Sequence, residues 1–291
     1  SFMGVVDVSE GANYLQKHKI PVYAFPENPM RAMSHLAEYA ELRKVTNREV
    51  LHFDADKENA ADIIAKKLDG QKSYMMTENE ARELLSCYGF PLLRSKLLKS
   101  KDEIEEASKE VPFPVAMKIS SPDIIHKFDA GGVILSIDSI EAAEKAYDKI
   151  MANVKAYKND ANIDGILMER MAGKGVEVIL GASRDPRFGP VCMFGLGGTF
   201  VEALKDVTFR VAPMWEVSAD TMIQSIKGYK VLQGIRNMPP SDISSIKECI
   251  LRLSQMVAEH PEIDELDINP LIVFPKGKGC VAADARILLR R

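Results

Sequence analysis

From Val115 onward the chain consists of short apolar runs separated by turns and a few amphipathic stretches, an alternation that limits it to layered sheet-and-helix folds. Val115–Ile119 and Val133–Ile137, then "GILMERM", "VEVILGAS" and "PVCMFGLG", and finally "ELDINPLIVF" with "GCVAADARILL", predict strands. Helices are predicted at Ile140–Lys158, about Ala219–Lys227 and Ser241–Glu259. Strands clustered in this way, with helices at intervals, predict an α+β class in two subdomains.

Upstream, Thr77 with Glu80 three residues on is a capping-box signature, and Gly89 and Pro91 stop the helix it opens. After the extended "PLLRSKLL", Ser100 with Glu103 repeats the device. A more polar helix is predicted at Asn59–Leu68, ending at Gly70. The opening 45 residues predict one strand (Pro21–Phe25), one helix (Pro29–Lys44) and a second helix at Glu10–Lys19. Such a unit cannot bury its own apolar faces, so it reads as the tail of a larger α/β domain or a strap docked on the rest of the chain.

Thirty-eight basic and forty-two acidic residues leave a net charge of -4 without long single-sign blocks, a pattern that favours neither nucleic acid nor an anionic membrane as partner. No apolar run reaches the roughly 18–20 residues that span a bilayer. Four widely spaced cysteines without a C-x-x-C pair point away from zinc and disulfide scaffolds, and a reducing cytoplasmic setting is expected.

Several stretches could carry chemistry. In "FGLGGTFVE" the glycines at Gly195, Gly197 and Gly198 could aim backbone amides at phosphate oxygens or form a plain turn; neither the dinucleotide fingerprint nor a Walker loop is present. Alternation places Asp267 and Asn269 on one strand face. With a hairpin loop at residues 276–279, Asp284 falls diagonal to Asn269 on that face, about 7–8 Å away. A carboxylate and an amide oxygen with room for water suit Mg²⁺, whereas a solvated hairpin is the ordinary alternative. A loop of odd length would invert the register. Lys118 ends an apolar strand, where its ammonium needs water or an anion such as phosphate. Glu169 and Glu177 interrupt two apolar runs, as surface residues or as neighbours of an adenine and a ribose. His126, in "KISSPDIIHKFDAGGV", could act as base, ligand or nucleophile, or be merely solvated.

The order and spacing of "ARELLSCYGFP", "PVAMKISSPDIIHKFDAGGV", "GILMERM", "EVILGASRDPRFGPVCMFGLGGTFVEALKDVTFRVAP" and "ELDINPL…DAR" resemble the ATP-grasp part of the NDP-forming acyl-CoA synthetases, relatives of succinyl-CoA synthetase. The resemblance covers residues 73–291, and the N-terminal stretch resembles the end of the flavodoxin-like α/β ligase domain that precedes this module in fused members. It implies a remnant and linker over residues 1–70 and an ATP-grasp domain over 71–291, with a smaller subdomain at roughly 95–168. It also implies ATP/ADP and Mg²⁺, with Lys118 on the phosphates, Glu169, Arg170 and Met171 beside adenine, and Glu177 facing ribose. Asn269 and Asp284 match the family's metal ligands, with Asp267 nearby. His126 falls on a phosphohistidine position of a mobile loop hinged at Gly131 and Gly132, with Glu202 as a candidate to orient the imidazole. CoA and an organic acid, acetate or another short acid, would be handled by CoA-binding partner domains in an oligomeric enzyme. Two departures stand out: Phe128 where serine or threonine is common, and "GIRN" at 234–237 for "GYRG". Two other readings stay open, a non-catalytic module as in synthetase-like protein acetyltransferases and a carboxylate-amine ligase that needs no His126.

Overall fold

The computed structural model describes residues 9–44, 49–124, 126–198, 206–235 and 238–291. By its contacts the chain forms two compact units, 1–48 and 49–291. The first holds two helices, α1 (Ser9–Lys17) and α2 (Glu27–Lys44). The expected strand at Pro21–Phe25 is irregular chain instead, because a strand needs a partner to satisfy its ladder and none is described in that unit. Met30, Met33, Leu36 and Tyr39 of α2 remain exposed, in keeping with a unit too small to cover its own apolar residues.

The second unit is built on two antiparallel sheets. The smaller runs β2 (Ser95–Leu98), β5 (Gly165–Arg170), β3 (Val115–Ser120), β4 (Val133–Ile137). Helices α5 (Ile104–Glu110) and α6 (Ile140–Tyr157) pack beneath it on a core of Leu98, Ile104, Met117, Ile119, Ile150 and Ile166. Its strands and helices fall between Ser95 and Arg170. The larger sheet runs β1 (Ser73–Met75), β11 (Ala285–Arg290), β9 (Ile263–Val273), β6 (Val176–Asp185), β7 (Gly189–Leu196), β8 (Val207–Val211), with β10 (Cys280–Ala282) also on β9. Among its helices, α4 (Glu78–Cys87) and α9 (Ile243–Glu259) bury Leu84, Leu85, Leu253 and Met256 against strand residues such as Phe194, Ile268 and Ile287. Two further helices, α7 (Glu216–Gln224) and α8 (Tyr229–Leu232), lie between β8 and α9. Among the described residues no helix is long and apolar enough to cross a membrane.

Local sequence accounts for the helix that matters most to the site. Thr77 opens α4 with a capping box in which the Glu80 carboxylate accepts the N–H of Thr77 at 2.8 Å. The second anticipated box is displaced by a residue: Glu103 takes the N–H of Lys99 at 2.9 Å, and a 3₁₀ turn at Lys101–Glu103 precedes α5.

Helix α3 (Lys57–Lys67) belongs to the second unit, which begins at 49. Its Ala60 and Ile64, with Leu68 just after it, are buried in the larger core. Ile64→Ala should then lower unfolding stability by about 2–5 kcal/mol, the cost of emptying a core site. Urea denaturation of the two proteins checks it, and an unchanged midpoint would detach α3 from the core.

Candidate functional site

A cleft of about 700 Å³ opens where the two sheets face each other. From the smaller sheet it is lined by Lys118, Val133, Leu135 and Glu169, followed by the segment Arg170–Gly175; from the larger by Glu177, Asn269, Ile272, Asp284 and Arg286. Lys127 and Phe128 enter from the loop between β3 and β4. Residues more than a hundred positions apart thus share one cavity with apolar walls and a charged end, the usual make-up of a small-molecule site.

The charged end is a buried ion network. Lys118 Nζ donates to Glu78 Oε1 at 2.8 Å and to the carbonyl of Ala283 at 2.7 Å, and lies 2.7 Å from Glu169 Oε2. Arg82 Nη1 meets Glu169 Oε1 at 2.5 Å, and its Nη2 donates to the carbonyl of Leu93. Lys127 Nζ pairs with Glu78 Oε2 and lies 3.8 Å from Asp284 Oδ1. The side chains of Glu78 and Glu169 are each 2% exposed.

Burial pushes the Glu78 carboxyl up, but the ammonium groups of Lys118 and Lys127 outweigh it and hold Glu78 below the usual glutamate range. Burial also works against the Lys118 ammonium, and Glu78, Glu169 and Asp284 together carry its pKa above the ordinary lysine value. For Glu169 burial, reinforced by the Glu78 charge, prevails over Lys118 and Arg82 and raises the carboxyl. Asp284 is raised too, by burial and by Glu78, against Lys127, Lys118 and Arg286.

At the other end of this charge cluster the hairpin brings oxygen donors together. The tight turn spans Pro275–Lys278, with Lys278 N–H on the Pro275 carbonyl at 2.9 Å, one residue earlier than anticipated. The register shifts by two, pairing Ala282 with Leu271 and Ala285 with Ile268. An even shift keeps every side chain on its face. Asn269 therefore lies opposite Asp284, its N–H on the Asp284 carbonyl at 3.2 Å, and not on the diagonal. Asp267, Asn269 and Asp284 line one small pocket. Burial, aided by Asp284 and opposed by Arg286, pushes the Asp267 carboxyl up to about 6. Two raised carboxylates and an amide on one face form a hard oxygen donor set that gains from a cation, so these residues fit Mg²⁺.

Other expected residues fall differently. His126 is exposed and is not among the cleft-lining side chains, although the adjacent Lys127 is. Gly131 adopts the left-handed region (φ +60) and accepts a bond from Asn153 Nδ2 at 3.0 Å, while a Cβ on Gly132 would come within 2.6 Å of Ile119. The phosphate cradle at Gly195, Gly197 and Gly198 needs correction. Gly195 is buried inside β7 and paired on both sides with Ile179 and Val207, and the Gly197 N–H is spent on the Glu177 carbonyl at 2.8 Å. Only Gly198 has positive φ, beside the Glu177 carboxylate. In the segment expected beside adenine, the N–H groups of Arg170 and Met171 are taken by the carbonyls of Arg94 and Pro114. Glu202 and residues 236 and 237 of "GIRN" lie outside the described residues.

Sequence reasoning missed Glu78, Arg82 and Lys127. Lys127 is part of the "HK" pair and could have been suspected. Glu78 and Arg82 sit on α4 one turn apart and point at partners 40 and 87 residues away, a pairing that no local pattern reports.

Residues 67–289 match the ATP-grasp domain family. The chain is 46% identical over 216 residues to the β subunit of acetate–CoA ligase [ADP-forming] II of Pyrococcus furiosus, covering 74% of this chain and 92% of that one. It is 41% identical over 287 residues to the 4-hydroxybutyrate–CoA ligase [ADP-forming] of Nitrosopumilus maritimus, covering 99% of this chain but 41% of that longer protein. In structure it resembles the dinucleotide-forming acetyl-coenzyme A synthetase 1 of Korarchaeum cryptofilum, with TM-score 0.69 and 43% identity over 79% of this chain and all of the matched one. That protein was solved with coenzyme A and Mg-AMPPCP, its phosphohistidine segment pointing towards the nucleotide binding site. The chain belongs to the ATP-grasp family, as the ATP-grasp module characteristic of the ADP-forming acyl-CoA synthetases.

Proposed function

We propose that the chain is the nucleotide-handling module of an ADP-forming acyl-CoA synthetase of the acetyl-CoA type, passing a phosphoryl group between His126 and ADP/ATP. The observation that carries this reading is the cleft itself, where Lys118, Lys127, Glu177, Asn269 and Asp284 converge around a cavity of nucleotide size. The base lies against Met171 and the segment after β5, the ribose by Glu177, and the phosphates towards Lys118 and Lys127. Asn269 and Asp284, with Asp267 beside them, would hold Mg²⁺, which would supply neutralisation of phosphate charge.

In the ATP-consuming direction an imidazole nitrogen of His126 attacks the terminal phosphorus. The new N–P bond forms as the bond to the ADP oxygen breaks, and ADP leaves with that electron pair. The reverse step makes ATP. Positioning and charge neutralisation supply the acceleration, and both lysines stand at the end of the cleft where that charge collects. His126 reaches the phosphates by turning inward, with Glu202 as a candidate to orient it. Acyl transfer to CoA falls to CoA-binding domains, in the same chain or a separate subunit. Retention of a histidine beside a lysine at positions 126 and 127 favours catalysis over a purely regulatory role.

Incubated with labelled ATP and Mg²⁺, the partner-containing enzyme should carry acid-labile, base-stable phosphate on His126. His126→Ala should lose the label and overall turnover while still binding nucleotide. Full activity in that variant would refute the relay.

The metal assignment has a pH signature. A carboxyl whose folded pKa lies near 6, above an unfolded value near 4, favours folding when protonated, so its contribution declines as pH rises from about 4 to about 6. A cation bound to the ionised form reverses that penalty. Mg²⁺ should therefore raise the melting temperature more at pH 7.5 than at pH 5, and Asp284→Asn should shrink the rise. Equal effects at both pH values would place the ion elsewhere.

A further inference from the structure

The two cleft lysines are backed by an anion that does not itself line the cavity. Glu78 lies beneath them in the first turn of α4, one oxygen on Lys118 at 2.8 Å and the other on Lys127. Capping does not call for it, since Glu80 fills that role. A carboxylate this buried is costly unless paired, and both of its oxygens are given to the groups that would meet phosphate.

Lys118 has three protons to donate and three acceptors already in place: Glu78, Glu169 and the Ala283 carbonyl. A phosphate oxygen can bond Lys118 only by displacing one of them. The charges also balance before any ligand arrives, with Lys118, Lys127 and Arg82 against Glu78, Glu169 and Asp284. Glu169 retains Arg82 whatever Lys118 does. Among the described residues Glu78 alone is held by both lysines, so it acts on the phosphate end as a whole.

We propose that Glu78 is a positioning residue that sets nucleotide affinity: it holds the two ammonium groups at the phosphate end and competes for their protons, keeping bound nucleotide exchangeable. This deepens the function proposed above and rests on it. Removing the charge while keeping the shape leaves Lys118 positioned by Glu169 and gives the phosphates one fewer anion to oppose.

Calorimetric titration of the 291-residue chain with ADP in excess Mg²⁺ tests it. Glu78→Gln should tighten binding about 5- to 10-fold through slower dissociation, the scale of one partly screened charge at close range. Glu78→Asp, which keeps the charge, should show no such gain in affinity. An ion pair that merely held α4 in place would lose stability on substitution and leave affinity equal or weaker, so a gain separates the two roles. Unchanged or weaker binding by a folded Glu78→Gln, whatever its melting temperature, would overturn the proposal. Should that variant fail to fold, the decision passes to Lys127→Gln and the charge-balanced Glu78→Gln/Lys127→Gln pair. There the double variant must bind more tightly than Lys127→Gln, and binding no tighter overturns the proposal. A wild-type chain that binds neither ADP nor ATP would sink the nucleotide reading, and this one with it.

Discussion

The Glu78 and Glu169 carboxylates, both buried, are the constraint around which the second unit is arranged. Each needs cations close by, and those cations come from different layers: Arg82 from α4 beside the larger sheet, Lys118 from β3 in the smaller, Lys127 from the loop after β3. The Ala283 carbonyl, next to Asp284, completes the Lys118 shell. Losing any one partner would strand a buried charge, at a cost of about 3–5 kcal/mol. The network is therefore a poor source of net stability but a strict specifier of how α4, β3, β5 and the β10–β11 junction meet.

That specification places chemistry at one end of the cleft. β9 and β11 pair so that Asn269 faces Asp284, and the same junction supplies the carbonyl that fixes Lys118. A metal on the hairpin and phosphates on the lysines would thus be held by adjoining backbone. Leu93, Val133 and Ile272 give the same cleft apolar walls beside these charges. Phe128, at the position where serine or threonine is expected from the resemblance, is 73% exposed and lines the cleft, so its ring adds apolar surface there while the Lys127–Glu78 pair stays in place.

Much of the fold was legible because its signals are local. The strand at Val115, the long helix after Ser139 and the capping box at Thr77 follow from periodicity and short hydrogen-bonding motifs. Face assignment for Asp267, Asn269 and Asp284 survived an error of two in register because parity alone decides the face. What failed depends on distant partners. The strand expected at Pro21–Phe25 has apolar composition but nothing described in its unit to pair with. β8 and β1 were passed over because they are short and gain their identity from β7 and β11. Gly195 looked like a phosphate loop residue, yet its lack of a side chain serves close strand packing, where a Cβ would fall 2.7 Å from the Asp206 carbonyl. The ion pairs of Glu169 with Arg82 and Lys118 likewise join distant segments and were not anticipated.

A crystal structure of the chain with Mg²⁺ and a non-hydrolysable ATP analogue tests the central claim most directly. The account predicts phosphate oxygens within hydrogen-bonding distance of Lys118 and Lys127, the metal on Asn269 and Asp284, and the base against Met171. A nucleotide seated outside this cleft, or phosphates in the cleft with both lysines still wholly engaged by Glu78 and Glu169, would contradict it.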